Sequence, residues 1–321
     1  MKNGFKIVDF RCRPPVPAYK VLFDLHLQRQ SRETKFVCAP ENAVTPSMLK
    51  VGDPAGLDLL LAEIDEAGID LVVAPGRKMS VKIEAIGEGT SEINVTDEAL
   101  AGLRRRFNDR LLGLSGLDLS QPADQTASQI EKSVKDYDMR GVVIEPGYYT
   151  EPDGGPLHAD NPRLYPIYEA VIALDLFVMH QSGIYAGPDI SANYWPPLDR
   201  LLQNFPRLKF VLAHGGYPAV IDALSLAVKH ENFHISPDVY SFAPAGELYV
   251  NAISKLPDQF IFGSAYPLAC QKASVEGALR FPLSDDVMAK YLYGNAARLV
   301  KLTPAARVSR KEAGKDKERA A

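Results

Sequence analysis

Asp9-Phe10-Arg11-Cys12-Arg13 closes the first apolar run of the chain, Phe5-Lys6-Ile7-Val8. Side chains alternate along a strand, so Asp9, Arg11 and Arg13 are expected on one face, Phe10 and Cys12 on the other. Two guanidiniums side by side repel unless an anion answers them, either a carboxylate of the chain or one carried by a ligand. Arginine offers only donors, so the pair can clamp a carboxylate or phosphate but cannot ligate a cation. Glu145, His180 and His214 each close a later apolar run, and Asp238 follows another. Imidazoles facing a cationic pocket keep depressed pKa values and stay neutral near pH 7, as a general base requires. The catalytic candidates are therefore His180, His214 and Glu145, with Arg11, Arg13 and Asp238 binding substrate.

A second reading of the same residues is a plug, in which Arg11 and Arg13 pair with Glu145 and Asp238. Buried charge is a costly way to fill space, which favours the clamp. Tyr148, Tyr149, Tyr185, Tyr194 and Trp195 crowd two long loops, while Tyr217 and Tyr266 lie just beyond strand-end glycines. Of these, Tyr148, Tyr185, Tyr217 and Tyr266 are expected to wall a flat or ring-shaped substrate and exclude water.

These groups need a scaffold that brings strand ends together. Strand-like runs recur at 5–13, 69–74, 111–119, 141–145, 176–180, 209–214, 233–236 and 260–263, and nearly every one precedes a helical segment. Asp53 caps a helix over 54–67 that stops at Gly68, and Thr96 caps one through 107. Further helices are expected at 123–137, 164–174, 197–204, 217–230 and 284–302. Residues 14–53 and 77–95 are expected to be loops, as are the stretches after strands four and five. The period is that of an α/β protein with a single (β/α)8 barrel, whose active site lies at the C-terminal strand ends. A doubly wound sheet is the alternative, but no Gly-x-Gly-x-x-Gly turn follows any strand. Residues 1–302 form the barrel, and the charged tail 303–321 is expected to be disordered.

The chain has 321 residues and a formal net charge of -4, which gives no general attraction to nucleic acid or anionic membrane. No apolar stretch is long enough to span a bilayer, and no signal peptide is evident. Cys12, Cys38 and Cys270 have no metal-like spacing and are expected as free thiols in a reducing, cytoplasmic setting.

Several motifs carry a family resemblance. Pro206-Arg-Leu-Lys-Phe-Val-Leu-Ala-His214-Gly-Gly, Phe262-Gly-Ser-Ala-Tyr-Pro267 and Gly294-Asn-Ala-Ala-Arg298 resemble the amidohydrolase-2 family. Asn161-Pro-Arg-Leu-Tyr-Pro-Ile-Tyr-Glu169 and the Ile7-Val-Asp9 opening do so too. The resemblance implies a TIM barrel with a metal site, used for hydrolysis, decarboxylation or hydration of small carboxylated or cyclic substrates. The family's opening Asp-x-His-x-His supplies two metal ligands, but this chain has Arg11 and Arg13 there. The family's strand-eight aspartate is Ala265 here, while the strand-five and strand-six histidines are kept as His180 and His214.

Each guanidinium about 6 Å from a divalent ion would cost on the order of 5 kcal/mol at an effective dielectric near 20. A chain without the usual metal is therefore expected. A relocated zinc, manganese or iron ion on Glu145, His180 and His214 is the alternative. The reading is a hydrolase or carboxy-lyase type of enzyme acting on a small anionic, cyclic or aromatic metabolite. The alternative is a catalytically silent subunit that supports an intact paralogous amidohydrolase. A homodimer, or a heteromer with that paralogue, would be the assembly.

Overall fold

The computed structural model describes residues 1–79, 83–84, 90–91, 93–151, 153–187, 191 and 195–302. Tyr194 and the tail 303–321 lie outside the described residues. Seven parallel strands form one sheet in chain order. They are β1 (Val8–Asp9), β2 (Leu71–Pro75), β3 (Leu111–Gly116), β4 (Val142–Ile144), β5 (Phe177–Gln181), β6 (Lys209–Ala213) and β7 (Phe233–Ser236). Parallel neighbours need crossovers, and the helices supply them.

The expected eighth strand is an extended segment held by isolated bridges rather than a ladder. Phe260 bridges Ile235 on β7, and Tyr266 bridges Cys12 just beyond β1, so this segment links the two edges of the sheet. Ala265 at φ 58 and Pro267, which has no N–H to give, prevent the segment from running on as a regular strand.

Twelve strand or closing-segment side chains, among them Val8, Phe10, Val143, Phe177, Met179, Ala213 and Ile261, fill the interior. The opposite faces of the strands meet the helices in a second, larger core. The crossover helices α2 (Pro54–Ala67), α3 (Asp97–Arg106) and α4 (Ala123–Tyr137) fall close to their expected bounds. Asp53 accepts from Ala55 N and Thr96 from Ala99 N, which satisfies free amides at two helix starts. Gly68 ends α2 at φ 75. Then come α5 (Tyr165–Ala173), α6 (Trp195–Asn204), α7 (Val220–Lys229), α8 (Glu247–Ile253) and α9 (Gln271–Ala278). The single helix expected over 284–302 is broken into α10 (Asp285–Ala289), a π turn and α11 (Asn295–Leu299). Tyr291 O accepts from Phe262 N at 3.0 Å, and that bond takes the carbonyl out of the helical ladder.

The stretch 14–53 is not a loop. It holds an 18-residue helix, α1 (Lys20–Val37). No Gly or Pro interrupts 18–39, but the apolar positions make too weak a stripe to reveal the helix by period. Along α1, Phe23 meets Tyr266 at 5.8 Å, Arg29 covers the Tyr185 ring at 4.9 Å, and Phe36 meets Tyr217 at 6.5 Å. The helix thus lies over the C-terminal mouth of the sheet. Within 77–95, Arg77–Lys78 pairs antiparallel with Asn94–Val95, and Ile83–Glu84 with Thr90–Ser91. Among the described residues, no helix is long and apolar enough to cross a membrane.

Candidate active site

The first strand departs from strict alternation. Asp9 accepts from Ser264 N, Ser264 Oγ and Gln271 Nε2, and the same Gln271 amide reaches Cys12 Sγ. Asp9 and Cys12 therefore share the face toward α9, although they are three residues apart. Phe10 belongs to the interior, its ring 5.5 Å from that of Phe177. A bend at Phe10 resolves the conflict, and Asp9 lies outside the pocket rather than beside the arginines.

Three guanidiniums meet at the mouth, all buried: Arg11, Arg13 and Arg77. Arg77 follows the Pro75-Gly76 end of β2. A Cβ on Gly116 would lie 2.6 Å from Arg77 N, so that glycine lets the Arg77 backbone settle against β3. Arg77 is ion-paired with Glu145 and stands over the Tyr148 ring at 5.2 Å. Arg11 Nε lies 3.6 Å from Asp238 Oδ2. Arg13 has no hydrogen bond or ion pair from its side chain to any described residue. Burial and then the charge of Arg13 push Arg11 down to about 9. Burial and then Arg77 lower Arg13; burial also opposes the Arg77 charge, but Glu145 together with Tyr148 and Tyr19 raises it. Arg13 is the strongest charged neighbour of Arg11, and Arg77 is that of Arg13. Nε and Nη1 of both Arg11 and Arg77 are buried with no acceptor.

The plug reading is met in part. Asp238 pairs with Arg11, but Glu145 pairs directly with Arg77 and attracts Arg11 and Arg13 only at longer range. The same reading of strand ends, applied to β2, would have found Arg77; its place in an expected loop hid it.

His214 ends β6 with φ 58. Its N–H donates to Asp238 Oδ2 at 3.2 Å, and Nδ1 stands 3.1 Å from the same oxygen without the alignment of a full hydrogen bond. Ser236 Oγ donates to Asp238 Oδ1 at 2.5 Å. Burial and then Arg11 push the His214 imidazole down to about 4, so it is neutral at pH 7. Burial would raise the Asp238 carboxyl, but His214 and Arg11 outweigh it and hold it below its ordinary range. A Cβ on Gly263 would lie 2.5 Å from Asp238 Oδ1, so this glycine makes room for the carboxylate. His214, Asp238 and Ala265 all adopt left-handed φ at the ends of neighbouring segments. Such strain persists only where surrounding contacts fix it, and it clusters at functional sites.

His180 is not brought to this group. It stands opposite Leu212 in the β5–β6 ladder, and Leu212 reaches toward α7, where a Cβ on Gly216 would meet both Leu212 and Ala223. The His180 ring packs 5.7 Å from Phe210, in the layer facing the helices. Neither ring nitrogen has a partner, and burial alone pushes it down to about 4. Gln181, one residue on, turns to the interior with its Oε1 unpartnered.

The tyrosines divide as well. Tyr148 stacks under Arg77 and donates to Tyr185 O at 2.8 Å. Tyr217 stacks on Tyr240 at 4.5 Å, and Tyr240 meets the His214 ring edge-on at 5.6 Å. Tyr266 is turned away, its hydroxyl bonded to Ser47 and its ring against Phe23. Tyr19, absent from the expected set, donates to Pro75 O and is buried beside Arg13 and Arg77. A cleft of about 570 Å³ opens at the opposite end of the strands, beside His234, Lys255 and Arg298. That end positions none of the convergent charges, and the C-terminal end is where barrels of this kind do chemistry.

The amidohydrolase family model matches residues 53–302. This chain belongs to the amidohydrolase family. A 2-keto-4-carboxy-3-hexenedioate hydratase of Sphingobium sp. is 27% identical over 175 residues, covering 48% of this chain and 49% of the relative. The match thus spans about half of that relative's length. An uncharacterised TIM-barrel protein of Bordetella bronchiseptica superposes with TM-score 0.79 at 28% identity, covering 92% of this chain and 98% of that one. A 2,6-dihydroxybenzoate decarboxylase from Rhizobium gives TM-score 0.63 at 19% identity, covering 93% and 99%. A dihydroxybenzoic acid decarboxylase of Polaromonas sp., solved with bound manganese and an inhibitor, gives 0.63 at 17%, covering 94% and 98%.

The residues present here do not fit such an ion. Arg11 and Arg13 are donors only, Ala265 has no ligand atom, and His180 faces the helices. Glu145 is engaged by Arg77, and His214 by Asp238. Among the described residues, no three His, Cys, Asp or Glu side chains converge as a metal-binding group.

Proposed function

We propose that this amidohydrolase-family chain is a hydrolase or lyase acting on a small carboxylated, cyclic or aromatic metabolite, without a resident metal ion. One observation carries the reading. Three buried guanidiniums share two carboxylates, and Arg13 feels Glu145 only at longer range, with no direct ion pair of its own among the described residues. A buried cation without a counter-ion is costly, and a substrate carboxylate removes that cost on binding. The names of the hydratase and decarboxylase relatives, all of carboxylated compounds, support the substrate class.

In this reading Arg13 receives the carboxylate. His214, with Nδ1 turned to Asp238, presents Nε2 to the substrate and moves the proton. Asp238 positions that ring, and Glu145 holds Arg77 in place. Tyr148 and the Tyr217–Tyr240 pair flank the site, and α1 lies over it.

The experiment is a thermal-shift panel of small aliphatic and aromatic carboxylates against the wild-type chain and Arg13→Met. Carboxylates that raise the melting temperature of the first and not the second are the expected result. A panel with no stabilising carboxylate would overturn the reading.

A further inference from the structure

The cleft of about 570 Å³ at the N-terminal end of the strands takes no part in the carboxylate chemistry at the mouth. Lys209 at the start of β6, Lys255 beyond α8 and Arg298 in α11 line it, with Glu231 and Asp258 as the acids. Carboxylate is scarce around these cations. Asp175 serves both Lys209 and Lys301, and Asp258 serves both Lys290 and Arg298. Two carboxylates thus face four cations. Lys255 and Glu231 have no ion pair with a described residue and offset each other in charge, so the surplus is positive.

Helices α6 and α7 end at this face, where bare carbonyls would repel an anion. Two amides of the lining cover them. Asn232 Nδ2 donates to Leu208 O at 2.7 Å and Phe205 O at 3.4 Å, and Gln259 Nε2 to Ala227 O at 2.7 Å and His230 O at 2.9 Å. His234 closes the inner end of the cleft. It stands opposite Val211 in the β6–β7 ladder, and Val211 belongs to the interior, so the His234 ring faces inward at the bottom of the sheet. His234 is only 6% exposed, and its Nδ1 is buried with no partner. A buried polar atom of this kind calls for a partner, and an open cleft can deliver one.

We propose that this cleft binds a small phosphate ester, with its phosphate among Lys209, Lys255 and Arg298 and its organic part against Leu256, Pro257 and Leu299. Arginine and lysine are well suited to phosphate oxygens. With a second pKa of about 6, the phosphate offers acceptor oxygens and, in a fraction of molecules, an O–H. It can therefore meet His234 Nδ1 in either tautomer, whereas an ionised carboxylate can only accept. A cleft of this volume suits an organic ligand, and an inorganic ion would leave most of it unfilled.

Titration calorimetry of the full chain near neutral pH, with phenyl phosphate and with inorganic phosphate, tests the site. The ester is expected to bind at least about tenfold more tightly than the free ion. Lys255→Met and Arg298→Met should each weaken the ester by about tenfold, and Lys255→Arg should retain it. Lys255 is exposed, so its variants report on the site even if Arg298→Met fails to fold. Arg13→Met, at the opposite end of the strands, should leave ester binding unchanged. In that same variant benzoate should bind at least about tenfold more weakly than the ester, which separates this site from the carboxylate site of the mouth. No binding of phenyl phosphate at millimolar concentration, binding that survives Lys255→Met, or loss of binding in Arg13→Met would each overturn the proposal. Equal affinity for the free ion or for benzoate would overturn it as well.

Discussion

Arg77 Nη2 and Glu145 Oε2 close a buried ion pair between residues 68 apart in the chain, one leaving β2 and the other ending β4. Both side chains are almost wholly enclosed, so neither can turn to water if its partner is lost. Arg77→Met should therefore destabilise the chain by about 3–5 kcal/mol, since it strands a buried carboxylate. The double variant Arg77→Met, Glu145→Gln should recover much of that loss. Urea unfolding of the two single variants and the double variant checks the coupling, and independent effects would contradict it.

His180, His214 and His234 are each pushed from 6.5 down to about 4, burial being the largest cause. A depressed imidazole binds its proton more readily in the unfolded chain. Stability is therefore complete above pH 6.5 and declines as pH falls toward 4, by on the order of 3 kcal/mol per histidine. His180→Met keeps a similar volume without unpartnered nitrogens, and should flatten that decline by about one proton. Urea midpoints between neutral pH and pH 4.5 measure it, and an unchanged slope would contradict the placement of His180.

The two histidines should also part in activity. On whichever carboxylate the chain turns over, His214→Asn should cost about 10²–10⁴ in turnover, the usual worth of a positioned acid or base. His180→Met should leave turnover within a few-fold of wild type. The reverse ranking would place the chemistry on β5 and discard His214 as the proton-moving residue.

Chelation should leave the chain unmoved. Elemental mass spectrometry of protein incubated with manganese and zinc should find far less than one ion per chain, and EDTA should change neither melting temperature nor turnover. Near-stoichiometric metal that vanishes in His214→Asn would restore a relocated metal site.

The β/α period and the caps at Asp53 and Thr96 were legible in the sequence. Three features were not, for separate reasons. The bend at Phe10 depends on Gln271 gripping Asp9 and Cys12 together, and no local pattern announces a contact across 259 residues. The outward turn of His180 follows from its register against Leu212, which a strand-end position alone does not fix. Arg77 sat one residue beyond a Pro-Gly turn, and its charge partner Glu145 becomes evident only once β2 and β4 share one rim.

Asp9 is held by Ser264 and Gln271, which lie 255 and 262 residues further along the chain. During synthesis at about 5–20 residues per second, the first strand therefore waits on the order of tens of seconds for the contacts that fix it. Until those contacts form, β1 pairs only with β2, and its other side is an unpaired edge. Asp9, Arg11 and Arg13 stand directly after the apolar Phe5–Val8 run as charged gatekeepers.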